Sequence, residues 1–116
     1  MTIRRIKPGA RMSMAVAHGG TLYLAGQVAD DPSADVKGQT QQILAKIDRL
    51  LAEAGADKTK LLSANIWLSS MSNFAAMNEV WDAWVAQGHT PARATVESKL
   101  AAPQYLVEIG GIVALD

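Results

Sequence analysis

Two side chains near the C-terminus have the types and spacing to act on a small organic acid. Arg93 follows Pro91-Ala92 at the entrance of an apparent strand, and Glu108 stands in an otherwise apolar one, Val107-Glu108-Ile109. A guanidinium is always charged, and its planar fork matches a carboxylate through two parallel hydrogen bonds. An acidic residue where the pattern asks for burial must find a partner or water. A fixed cation and a fixed base on neighbouring strands would hold a small acid and aim water at it. A plainer reading stands beside each. Arg93 can form a structural ion pair with Glu97 or with Glu108. Glu108 can be a strand carboxylate satisfied by arginine or backbone amides, since a base needs position as well as a suitable pKa.

Other reactive types are sparse. The chain has no cysteine, which removes disulfides, thiolate nucleophiles and Cys-based metal sites together. His18 falls in a hairpin and His89 in a loop after a helix, where solvated turn histidines are expected. No third ligand accompanies them at useful spacing, so no metal site is expected. Trp81 and Trp84 lie on a helical apolar stripe, which places them in core or interface ahead of a stacking platform. Tyr105, after Pro103-Gln104, sits in the loop joining the last two strands, where it could close over a neighbouring subunit's site. Asp57, Lys58 and Lys60 read as a solvated connection.

The frame that must position these groups is one domain, residues 1–116. Lys+Arg and Asp+Glu number 11 each, giving zero net charge. A neutral chain without a basic run argues against nucleic acid, whose binding depends on phosphate neutralisation. The N-terminus has early positive charge but no apolar core of a signal peptide, and no span approaches membrane length. A soluble, cytoplasmic protein without a membrane partner is the expectation. Hydrophobic content of 49% at zero net charge hints that other copies of the chain cover some apolar surface.

Residues 2–6 alternate loosely as a short edge strand. Residues 14–18 and 21–25 form a hairpin about Gly19-Gly20, and Gly26 marks a bulge or a close backbone approach. From Val36 the period becomes helical, with Ile43, Ile47, Leu50, Leu51 and Ala54 on one face and Gly55 as C-terminal cap. Leu61–Leu68 alternates as a strand with Ala64, Ile66 and Leu68 on one side. Ser72 or Asn73 is placed to cap a second helix carrying Phe74, Met77, Trp81, Trp84 and Val85, which Gly88 closes. Two last strands follow, Ala92–Glu97 and residues 106–114. The order is β-β-β-α-β-α-β-β. Two helices cover only one face of a six-stranded sheet, and the strands are apolar on both faces, so oligomerisation is expected.

With this order in place, the chain resembles the RidA (YjgF) family over nearly its whole length. The resemblance rests on Gly20-Thr21-Leu22-Tyr23-Leu24-Ala25-Gly26-Gln27, Ser72-Asn73-Phe74, the Asn78 and Trp81 helix, Pro91-Ala92-Arg93 and Val107-Glu108-Ile109. The run from Phe74 to Trp84 and Gly88-His89 are similar to a divergent branch. The resemblance implies an α+β, chorismate-mutase-like subunit of the bacillus type: a mixed six-stranded sheet with two helices on one face, assembled as a homotrimer with clefts between subunits. It implies hydrolysis of reactive enamines and imines of amino acids, such as 2-aminoacrylate and 2-iminopropanoate, to 2-oxo acids and ammonia, without metal or organic cofactor. Arg93 would clamp the substrate carboxylate and Glu108 would position or activate water, with Thr95, Tyr105, Ala25 and Gly26 lining the substrate. Three positions depart from the archetype: Thr95 replaces a cysteine, Ala25 a serine, and a tyrosine is missing near Met12. These departures motivate the alternative of a non-catalytic protein binding small carboxylates such as 2-oxo acids. A ribonuclease role, sometimes attached to this family, has little support without a basic patch or paired histidines.

Overall fold

The computed structural model describes residues 1–116. Six strands, β1 (Arg4–Pro8), β2 (Ser13–His18), β3 (Thr21–Gln27), β4 (Leu61–Leu68), β5 (Ala92–Glu97) and β6 (Val107–Ala114), form one sheet in the order β1-β2-β3-β6-β4-β5. Helix α1 (Val36–Glu53) connects β3 to β4, and α2 (Phe74–Trp84) connects β4 to the parallel β5. Both crossovers step the same way along the sheet, so their common handedness puts both helices on one face. The element order is the one expected from the sequence. No helix is long and apolar enough to cross a membrane.

Helix α1 begins where the Asp35 carboxylate accepts from the Gly38 amide at 2.9 Å. Its buried stripe (Val36, Ile43, Leu44, Ile47, Leu50 and Leu51) packs on Leu22, Leu24, Ile66, Leu68, Ile109 and Val113 of the sheet. Each such side chain, fully buried, contributes about 1.5–3 kcal/mol. The helix ends as expected at Gly55 (φ 81°), where the amides of Gly55 and Ala56 donate to the carbonyls of Ala52 and Leu51. That pairing satisfies two terminal acceptors and needs a left-handed residue between them.

Of three local expectations, one is met in part and two are corrected. Asn73 holds the N-cap position of α2, as one of the two expected residues, but makes no side-chain capping bond; a single 3-10 turn, Met71–Asn73, precedes the helix, and Ser70 caps that turn by accepting from the Ser72 amide. Gly88 does not close α2, which stops at Trp84 with Val85 as its cap; Gly88 (φ 82°) serves a later turn, where His89 donates to the Ala86 carbonyl. Nor is the stretch around Lys58 merely solvated. Asp57 caps a 3-10 turn there, Lys58 donates to the Trp84 carbonyl at the end of α2, and Lys60 donates to the Asp116 carbonyl.

The sheet face opposite the helices is bare. Paired residues in a ladder share a face, so Val16, Tyr23, Ile112 and Ser63 lie together, continuous along β6 with Glu108 and its neighbour Trp67. Tyr23 and Val96 are each 50% exposed and Ile112 is 37% exposed.

Candidate functional site

Arg93 and Glu108 do not sit on neighbouring strands. β4 lies between β5 and β6. They also project from opposite faces: Arg93 pairs with Ala64, which is buried under the helices, whereas Glu108 pairs with Trp67 on the bare face. The sequence expectation of adjacent strands fails because chain order is not sheet order here: β6 inserts between β3 and β4. A small acid held by Arg93 of one chain is separated from Glu108 of that chain by the sheet itself.

The arginine half is built from β5 and α2. Arg93 Nη1 donates to Asn78 Oδ1 at 2.8 Å, and the guanidinium carbon lies 5.4 Å from the Trp81 ring centre and 5.8 Å from that of Phe74. Residues four and three apart on a helix share a face, so Phe74, Asn78 and Trp81 meet the arginine together. The ion pairs considered for Arg93 are not formed. Glu97 instead accepts from the Met71 amide at 2.9 Å, and Glu108 is on the other face. Arg93 remains exposed with most of its donors free. Thr95, two residues on, faces the same way, and its hydroxyl is buried without a hydrogen-bond partner. Unpaired buried hydroxyls are uncommon in folded chains and call for an explanation.

The glutamate half is built from β3 and β6. The register between these strands shifts between Leu24 and Gln27, so Ala25 and Gly26 form the irregularity expected at Gly26. A side chain at Gly26 would overlap the Glu108 carboxyl group. Any larger residue there would therefore have to displace the Glu108 side chain from this position. Burial holds the Glu108 pKa above its ordinary value, and no neighbouring cation pulls it back.

The remaining residues are dispersed. Tyr105 lines a separate cavity of about 330 Å³ with Ser69, Leu100 and Pro103. Its loop is fastened by the buried Gln39 of α1, whose two side-chain N–H donors are shared among the carbonyls of Pro32, Ala34 and Gln104 while its oxygen accepts from the Leu106 amide at 3.0 Å. His18 and His89 are exposed, as expected of turn residues. Trp81 is 5% exposed and belongs to the core while also backing Arg93; Trp84 is half-buried and donates to Asp48 at 3.0 Å. The largest cavity, about 520 Å³ in the outer groove between the helices, is lined by Leu44, Val80, Ala83 and Trp84 and by neither Arg93 nor Glu108.

From the sequence, Asn78 enters only as a mark of the family resemblance, with no role assigned, and Gln39 not at all. The signal was present: each is a polar residue on an otherwise buried helical stripe, and such a residue needs a partner.

Known proteins resemble the chain throughout. The model of the Ribonuc_L-PSP family, described as Endoribonuclease L-PSP, matches residues 2–115. The RutC family protein YoaB of Escherichia coli (strain K12) is 46% identical over 115 residues, covering 99% of this chain and 100% of YoaB. The crystal structure of NMB1025, a YjgF family member from Neisseria meningitidis, superposes with a TM-score of 0.97 at 46% identity, covering 100% of this chain and 97% of that one. YyfA of Yersinia pestis, from the conserved Rid protein family, gives 0.84 at 31% identity over 90% of this chain and 88% of its own.

Proposed function

This chain belongs to the Ribonuc_L-PSP family of RutC/YjgF proteins, and on that premise we propose that it is a cofactor-independent deaminase of reactive 2-imino acids, acting as a homotrimer. The observation that supports the reading most is a partly caged but largely unpaired guanidinium, Arg93, beside a buried hydroxyl without a partner, Thr95. A substrate carboxylate fits the first; the second lies on the same side of the sheet, closed off from solvent within one chain. Because Arg93 and Glu108 occupy opposite faces, the working site joins Arg93 of one copy to Glu108 of another. The bare apolar face around Tyr23, Val96 and Ile112 supports such an assembly.

In the reaction, Glu108 takes a proton from water as the water oxygen bonds to the imine carbon, and the imine nitrogen gains a proton. The resulting carbinolamine collapses as protonated Glu108 returns its proton to the amine nitrogen, the hydroxyl loses a proton and the carbon–nitrogen bond breaks, leaving a carbonyl. Ammonia and a 2-oxo acid leave. A carboxyl with a raised pKa suits both directions of transfer. The histidines give ribonuclease chemistry no support, since His18 ends β2, His89 follows α2, and both are exposed.

A second reading, a 2-oxo acid binding protein without turnover, is favoured by one observation: Ala25, in the irregularity of β3 next to Gly26 and Glu108, brings no polar side chain to the glutamate half. One experiment separates the two. The chain is added to 2-aminoacrylate generated in situ, ammonia is followed by a coupled assay, and solution mass is measured by light scattering. The expected result is accelerated ammonia release by a particle of three chains. Ammonia at the uncatalysed rate, with pyruvate still raising the melting temperature, selects the binding protein; a monomer at assay concentration removes the shared site.

A further inference from the structure

We infer that Asn78 is a positioning residue for Arg93, and that with Phe74 and Trp81 it fixes which edge of the guanidinium is offered to a carboxylate. This deepens the proposed function and rests on its carboxylate clamp. The Asn78 side chain makes no hydrogen bond other than the one it accepts from Arg93 Nη1. It is half-buried on the α2 face turned toward β5, and Ala64, the neighbour of Arg93 across the parallel ladder, is small enough to leave the guanidinium room against that face. Phe74 and Trp81 bound the same group with ring surfaces that attract a cation without donating or accepting hydrogen bonds. One Nη is thus committed to the protein, while the other Nη and Nε make no hydrogen bond within the chain and are available as a fork.

The identity of the holder matters as much as its place. An aspartate at position 78 would hold the arginine in the same geometry but neutralise it, and a ligand anion would then compete with an internal one. A neutral amide oxygen orients the cation and leaves its charge available. The holder also excludes lysine as a substitute for Arg93, because a point-like ammonium cannot contact the amide, two rings and a bidentate ligand at once.

The test uses the full chain with pyruvate as the probe, comparing wild type, Asn78→Ala, Asn78→Asp and Arg93→Ala by calorimetric titration. Asn78→Ala is expected to weaken pyruvate binding about tenfold, the scale of one hydrogen bond to a charged group, with the melting temperature nearly unchanged. Asn78→Asp is expected to weaken it at least as much. The side-chain ¹⁵N signals of Arg93, recorded without ligand, supply a readout independent of binding: rotation about Nε–Cζ is slow in wild type and Asn78→Asp and fast in Asn78→Ala. Pyruvate binding by Asn78→Ala within about twofold of wild type, while Arg93→Ala loses it, overturns the inference. If Arg93→Ala binds as wild type does, the clamp itself fails, and the ¹⁵N signals alone decide: slow rotation persisting in Asn78→Ala overturns the positioning role, and its loss upholds it.

Discussion

Arg93→Ala is expected to reduce imine hydrolysis, measured as kcat/KM for ammonia release, by at least about a hundredfold. The proposed clamp would consist of charge-assisted hydrogen bonds worth about 1.5–3 kcal/mol each, and each ~1.4 kcal/mol is a factor of ten. The fold should survive. Arg93 is exposed, and what it gives the protein is one bond to Asn78 and two ring contacts, with cation–π contacts at exposed sites contributing about 0.5–1 kcal/mol each. A cooperative melt close to wild type should therefore accompany the loss of activity. Retained hydrolysis in a folded variant would remove the clamp from the mechanism.

Glu108→Gln is the second large effect, with the opposite consequence for stability. General acid–base groups contribute about 10²–10⁴ in rate, so turnover should fall by about a hundredfold or more. In the wild-type chain the acid limb of the pH–rate profile for the proposed reaction should lie above the ordinary glutamate range, because burial raises the Glu108 pKa. A carboxyl whose folded pKa exceeds its unfolded value binds more protons in the folded state. Its favourable contribution is complete below the unfolded pKa and is lost as pH rises through the folded one. At alkaline pH the wild-type chain keeps a charge in a partly apolar place, and the neutral amide does not. Glu108→Gln should therefore melt higher than wild type at pH 8, and the difference should vanish in acid, where both side chains are neutral. An unchanged melting temperature at pH 8 would mean that the carboxylate is better solvated than its position over Gly26 implies.

Local pattern made the elements legible. Period-two alternation located Leu61–Leu68, the i, i+3, i+4 stripe located α1, and glycines marked the end of α1 and the irregularity in β3. Those signals lie within a few residues of one another. The faces of Arg93 and Glu108 depend on something alternation does not encode, namely that β6 inserts between β3 and β4 and leaves β5 at the edge. The Asn78–Arg93 contact was hidden for a related reason. It joins a helix to a strand that is adjacent only because the crossover returns beside β4 in parallel register. The N-cap position of α2 at Asn73 was legible, but the capping bond was not, because Ser70, Ser72 and Asn73 are all capping types within one turn and the 3-10 geometry gives that bond to Ser70.

The placement of Arg93 and Glu108 on opposite sides of the sheet has a genetic counterpart. Two null alleles, one encoding Arg93→Ala and the other Glu108→Gln, should complement each other when co-expressed. Each junction would draw its cation from one polypeptide and its base from the next, so random mixing in a closed ring leaves about a quarter of the junctions intact. Purified separately, neither product should show that recovery.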